Sequence, residues 1–172
     1  MTLRTAMIRA CFATALATGI SAVATVAPAV ADDCPDVEVI FARGTGEALG
    51  VGRVGQAFID ALVPQLGGRT VSTFAVNYPA SINFLTTAAG AGDAAGQISN
   101  MVGQCPDSQL VLGGFSQGAA VMAMLAGVPP VGTTIGSIGS APPLRPDLVD
   151  KVSAVAVFGN PSARFGSPLS TA

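Results

Sequence analysis

The sequence predicts an α/β fold: a three-layer αβα sandwich around a mostly parallel central sheet. Three observations carry that expectation. Short β-branched apolar runs alternate along the chain with segments patterned for helices. Half of the 172 residues are hydrophobic and only 10% are charged, which suits strands buried on both faces. The 21 glycines and several Ala-rich stretches suit tight turns and close helix–sheet packing rather than disorder. Right-handed crossovers would then bring the C-terminal ends of the strands, and any ligand site, to one edge.

The elements follow in order. Glu38-Val39-Ile40-Phe41-Ala42 is a short apolar run that reads as the first strand. Residues 52–66 place Val54, Phe58, Leu62 and Leu66 at helical spacing, with Gly67-Gly68 as the stop. Thr70 to Val76 reads as a second strand closed by Asn77-Tyr78-Pro79. Asp93 is expected to open a helix running to about Gly103, because a carboxylate suits a helix N-terminus. Leu110-Val111-Leu112 is a buried-type strand, and Gln117 to Leu125 an apolar helix. Val152 to Phe158 is the last strand, stopped by Gly159-Asn160-Pro161. Residues 32–172 contain no repeat or linker and read as one domain.

The N-terminus has a different character. Two arginines lie within residues 1–9, no charge follows until Asp32, and the uncharged stretch ends Ala29-Val30-Ala31. This is the pattern of a secretory signal peptide, residues 1–31, cut after Ala31, and it implies a secreted, extracellular protein. The alternative is an uncleaved anchor, since the run is long enough to span a bilayer. Of three cysteines, Cys11 belongs to the leader, which leaves Cys34 and Cys105. In an oxidising compartment these two are expected to pair, closing a loop of about 70 residues. Two buried free thiols are the alternative.

Several function classes are set aside. The net charge is -2 and no Lys/Arg run exists, so no nucleic-acid face is expected. Gly50-Val51-Gly52-Arg53-Val54-Gly55 spells G-x-G-x-x-G, but a loop separates it from its strand and residues 70–76 offer no carboxylate. No cofactor is expected. With no histidine and one cysteine pair, no metal site is proposed. Met122 and Met124 read as core.

Gly114-Phe115-Ser116-Gln117-Gly118 fits G-x-S-x-G, and its context strengthens the match. Leu110 to Gly113 supplies a strand before it and Ala119-Ala120-Val121-Met122 a helix after it. A sharp strand-to-helix turn lifts a serine oxygen above the sheet, and glycines on either side permit the backbones to approach. Ser116 is the candidate nucleophile. The Gln117 amide, at the helix N-terminus, is a candidate donor to developing negative charge.

Four ordered motifs resemble the cutinase family, and within it the secreted cutinase-like proteins of mycobacteria and their relatives. They are residues 34–47 (Cys34 through Arg43-Gly44-Thr45-Gly46-Glu47), Asn77-Tyr78-Pro79-Ala80, Gly113 through Ala119, and Val157-Phe158-Gly159-Asn160-Pro161. The resemblance implies an α/β-hydrolase-like domain without a large lid, acting on carboxylic esters of small molecules or lipids. It implies an oxyanion hole formed by Thr45 and Gln117, where the Thr45 hydroxyl adds a side-chain donor. It also places the family's first disulfide on Cys34 and Cys105. Without the resemblance, Thr45 reads as a turn residue. Arg43 and Glu47 read as loop-bracing residues.

The family completes its triad with an Asp between two later cysteines and then a His, and this sequence has neither. The expectation is therefore a shortened domain whose last strand is missing. Residues 152–158 would form an exposed apolar edge prone to aggregation in an otherwise monomeric protein. Lys151, beside Asp150, is expected to be a solvated residue rather than a substitute base. Two functions follow from the sequence: an ester hydrolase of weak or lost turnover with peripheral lipid contact, or a non-catalytic exported remnant that binds acyl or lipid ligands.

Overall fold

The structure, a computed structural model, describes residues 34–128 and 141–161. The leader expected over residues 1–31, with Cys11, lies outside the described residues. Four strands form one sheet: β1 (Val37–Ala42), β2 (Val71–Ala75), β3 (Gln109–Phe115) and β4 (Val152–Phe158). Their order is β2-β1-β3-β4 and every pairing is parallel. The helices are α1 (Gly52–Leu62), α2 (Thr87–Gln104), α3 (Gln117–Leu125) and the short α4 (Pro146–Val149).

Alternation along β1 divides the core in two. Val37, Val39 and Phe41 join Val111 and Ile59 on the face covered by α1, with Val54 and Phe58 packed against them. Ile40 and Ala42 join Leu110 and Leu112 on the other face, under Ala94 and Ile98 of α2 and Val121 and Met122 of α3. All six residues of β1 are buried, which is why it reads as an unbroken apolar run instead of an alternating one. The three expected layers are present.

One residue in that run is polar. Glu38 is buried on the α2 face, where its carboxylate accepts hydrogen bonds from Gln97 Nε2 at 3.0 and 3.1 Å and from Ser72 Oγ at 3.4 Å. Burial pushes its carboxyl up from the ordinary range, against these hydrogen bonds.

The boundaries depart from expectation in four places. α1 stops at Leu62 and continues as a 3₁₀ turn over Val63–Leu66, with Pro64 near its start and Gly67 closing it at φ 64°. α2 begins at Thr87, so Asp93 is not its first residue. Ala88, Ala89 and Ala91 extend the helix backward, and the Asn83 side chain accepts the Leu85 N–H at 3.3 Å in the turn before it. Asp93 instead accepts the Asn77 N–H at 2.8 Å, tying the exit of β2 to the body of α2. β3 runs on through Gly113 and Gly114 to Phe115, and α4 had no signal beyond Pro146.

Cys34 and Cys105 form a disulfide, so the free-thiol alternative falls. It joins the chain just before β1 to the end of α2, across a separation of 71 residues.

Topology places the site. From β1 the chain moves to β2 on one side and then to β3 on the other. The loops after β1 and β3 therefore diverge, and a crevice opens between them at the carboxyl edge. Among the described residues β4 is the outer strand on the far side, with Val155 50% and Val157 40% exposed.

Candidate active site

Ser116 stands between β3 and α3 with φ 52° and ψ -112°. Among the described residues only Ala80 is another non-glycine with positive φ. Such a conformation is costly and persists where the surroundings enforce it. Here the neighbours do so. A Cβ on Gly114 would run into the Gly118 carbonyl, and one on Gly118 into the Ala42 carbonyl, so both positions of the motif must be glycine for α3 to start this close to the sheet. The Ser116 N–H donates to Phe158 O at 2.9 Å, and Ser116 O accepts from Ala119 and Ala120 at 3.0 and 3.2 Å. The turn is thus pinned to β4 on one side and to α3 on the other.

Thr45 lies in the loop after β1, and the braces expected of Arg43 and Glu47 are there. The Glu47 carboxylate accepts from Gly44 N–H at 2.7 Å and from Arg53 N–H at 2.9 Å. It therefore fills the N-terminus of α1, where a phosphate would need to sit if the G-x-G-x-x-G letters bound a nucleotide. Arg43 is buried and has no carboxylate partner among the described ion pairs. Instead it donates to Glu47 O at 3.1 Å, Val76 O at 3.3 Å and Tyr78 O at 2.6 Å, with its guanidinium 5.3 Å from the Tyr78 ring centre. Tyr78 returns a hydrogen bond to Arg43 O, and burial pushes its phenol up to about 12. Gly46 N–H donates to Ala80 O at 2.8 Å, which fixes the far side of the loop.

The structure brings Thr45 and Gln117 together. The Thr45 hydroxyl donates to Gln117 Oε1 at 2.9 Å, and Gln117 Nε2 donates to Thr87 Oγ1 at 3.0 Å. Gln117 and Thr87 are fully buried. Neither the Thr45 nor the Gln117 main-chain N–H finds an acceptor among the described residues. Two unengaged donors beside a strained serine, at the switch point of a parallel sheet, are chemically suited to receive an oxyanion. A cleft of about 750 Å³, lined in part by Thr45, Leu49, Gly52, Arg53 and Gln56, opens from this loop.

Ser116 Oγ has no hydrogen-bond partner among the described residues, and the sequence holds no histidine. Lys151 does not approach it. Val152, the next residue, pairs with Leu110 at the start of β3, whereas Ser116 follows the end of that strand. Seven strand residues separate the two by roughly 20 Å. The lysine ammonium donates to Pro106 O at 3.2 Å instead.

Thr87 carried no sequence signal. It follows no motif, and its partner Gln117 is 30 residues away, so only the packing of α2 on α3 reveals it.

A family model for Cutinase matches residues 33–171. The chain belongs to the cutinase family. It is 52% identical over 143 residues to "Probable carboxylesterase Culp3" of Mycobacterium tuberculosis (strain CDC 1551 / Oshkosh), covering 83% of this chain and 52% of that protein. It is 46% identical to "Phospholipase Culp4" of Mycobacterium tuberculosis (strain ATCC 25618 / H37Rv), covering 84% and 61%. Among solved structures, a Trichoderma reesei cutinase in complex with a C11Y4 phosphonate inhibitor superposes with a TM-score of 0.60 at 35% identity, covering 81% of this chain and 57% of that one. The chain spans roughly half to three fifths of the length of these curated relatives. An α/β-hydrolase-like fold with a parallel sheet is what this chain shares with that structure.

Proposed function

We propose that this member of the cutinase family is a secreted carboxylic ester hydrolase in which Ser116 is the nucleophile and the main-chain N–H groups of Thr45 and Gln117 hold the oxyanion. The observation that carries the reading is Ser116 at φ 52°, lifted between β3 and α3 beside two donors without acceptors. The names of its relatives (carboxylesterase, phospholipase, cutinase) support ester chemistry. The charge-poor N-terminal stretch ending Ala29-Val30-Ala31 supports export.

In the step proposed, Ser116 Oγ bonds to the ester carbonyl carbon while the carbonyl π pair moves onto oxygen and is met by the two N–H donors. Collapse breaks the bond to the alcohol oxygen, which leaves with the serine proton. Water then repeats the attack on the acyl-serine and releases the acid. A monomer whose exposed Leu49, Ile82 and Leu85 meet the apolar part of a lipid or small-molecule ester fits the loops around the site.

Turnover by these 172 residues is proposed to be weak, since no described side chain takes the Ser116 proton and the sequence contains no histidine. Losing the base and its orienting acid costs on the order of 10⁴ to 10⁶ in related hydrolases, while donors and binding retain on the order of 10³ over water. The second reading is a non-catalytic binder of acyl or lipid ligands.

The test is a fluorophosphonate probe on the purified protein, alongside p-nitrophenyl butyrate hydrolysis. Slow labelling that vanishes in Ser116→Ala supports the proposal. Labelling that survives the substitution removes Ser116 from the role, and no labelling together with tight fatty-acid binding selects the second reading.

A further inference from the structure

We propose that Arg53 is a specificity-determining residue whose guanidinium binds a negative charge carried by the substrate, so that the cleft beside Thr45 favours esters with one anionic group over neutral ones. This rests on the ester-hydrolase reading above and names the substrate class of that same site.

The cationic side chains among the described residues are Arg43, Arg53, Arg69, Arg145 and Lys151. Four of them are engaged. Arg43 donates to three carbonyls, Arg69 to Gln109 Oε1 at 3.0 Å, Arg145 to Asp147 at 2.9 Å and Lys151 to Pro106 O at 3.2 Å. The Arg53 guanidinium alone has no hydrogen-bond or ion-pair partner among the described residues. It is exposed, and it lines the cleft of about 750 Å³ that also holds Thr45. That volume is of the size that takes a small-molecule ligand.

The neighbours of Arg53 keep its charge available. Glu47 is the other charged residue lining the cleft, and both of its carboxylate oxygens are committed to main-chain donors, Oε2 to Gly44 N–H and Oε1 to Arg53 N–H. Glu47 and Arg53 form no ion pair among the described residues. The remaining nearby carboxylate, Asp60, accepts from Gln56 Nε2 at 2.8 Å, one turn along α1. A single Glu47 carboxylate so placed still opposes a dianion, so one negative charge on the ligand is the best match to one guanidinium.

The same Glu47 carboxylate sets the distance between the two ends of the cleft. By holding Gly44 N–H at 2.7 Å and Arg53 N–H at 2.9 Å, it ties the start of α1 to the residue before Thr45. Between them, Gly46 and Gly50 carry no side chain and have open space where a Cβ would stand. An ester whose carbonyl meets the Thr45 and Gln117 N–H groups can extend over these glycines to Arg53. The planar guanidinium fork can then donate to both oxygens of a carboxylate or of a phosphodiester.

The experiment compares the rates at which two fluorophosphonates label Ser116 in the full chain. The two differ only at the end of a short alkyl chain, methyl in one and carboxylate in the other. The parent should favour the carboxylate probe on the order of fivefold at low salt, and less at high salt. Arg53→Gln should bring the ratio to about one, Arg53→Lys should keep part of the preference, and Arg145→Gln, which removes the same charge elsewhere, should keep all of it. NMR of the Arg53 Nε–H reads the contact without reaction. Monoethyl adipate or diethyl phosphate should shift this resonance while neutral diethyl adipate does not, and whichever of the two anions acts names the source of the charge. Ser116-dependent labelling with no preference for the anionic probe, or with a preference that survives Arg53→Gln, overturns the inference and leaves the hydrolase reading standing. Labelling that is absent or independent of Ser116 removes the hydrolase reading, and the inference about substrate falls with it even where the resonance shifts.

Discussion

Gly118, in the first turn of α3, lies so close to the end of β1 that a Cβ on it would overlap the carbonyl oxygen of Ala42. The contact is backbone on backbone, so no side chain can yield to relieve it. Gly118→Ala is expected to cost about 3 kcal/mol, read as a lower denaturant midpoint, and to abolish Ser116-dependent labelling. Gly96→Ala is the contrast. Gly96 sits in α2 with open space around its Cβ position, and alanine there should raise stability by about 1 kcal/mol. Equal effects at the two sites would show that the approach of α3 to β1 is not what makes residue 118 glycine.

Arg43 supports the oxyanion loop from beneath by donating to three carbonyls from a buried position. Lysine keeps the charge but lacks the planar fork that reaches Glu47, Val76 and Tyr78 at once. Arg43→Lys should therefore leave carbonyls unpaired and cost about 2–3 kcal/mol, with faster hydrogen exchange at the Gly46 N–H. A wild-type midpoint and exchange rate in this variant would count against a bracing role.

The sequence revealed what depends on neighbours in the chain. β1, β4 and α3 sit within a residue of where apolar runs and glycine stops put them, because a fully buried strand and an apolar helix leave little choice of pattern. The Gly114–Gly118 motif and the loop after β1 were legible for the same reason. What escaped depends on partners far along the chain. Asp93 looked like a helix start because carboxylates suit helix N-termini, but its partner is the Asn77 N–H. Gly113 and Gly114 looked like the end of a strand, yet pairing with β1 and β4 carries β3 through them to Phe115. Thr87 has meaning only once α2 lies on α3.

The Cys34–Cys105 bridge closes a loop with a sequence separation of 71 residues, and a cross-link of that span removes unfolded-state freedom worth about 4 kcal/mol in the chain-entropy picture. Cys34 is exposed, so mild reductant should reach the bridge. Reduction, or the double substitution Cys34→Ser with Cys105→Ser, is expected to lower the thermal midpoint by well over 10 °C for a domain of this size. A midpoint unchanged by reductant, with free thiols verified by titration, would refute the estimate.

Two carboxylates at the amino-terminal end of the sheet should respond to pH in opposite senses. Burial raises the Glu38 carboxyl, with the hydrogen bonds from Gln97 and Ser72 offsetting part of the effect, so the folded chain holds this proton at pH values where the unfolded chain has released it. Its contribution to stability is complete below the ordinary carboxylate range and is lost as pH rises through the raised folded value. Glu38→Gln should thus gain stability over the parent as pH climbs from about 4 toward 7, and little below that. Asp36 behaves the other way. The Thr70 N–H and hydroxyl, with Arg69 nearby, hold its carboxyl below the ordinary range. Its contribution is present above that range and is lost as pH falls through the lowered folded value, so Asp36→Asn should lose stability at neutral pH and converge on the parent in acid. Thermal midpoints of both variants across pH 3 to about 8 decide the matter. Curves that shift in the same direction would mean that general charge repulsion, and not these two local environments, governs the acid response.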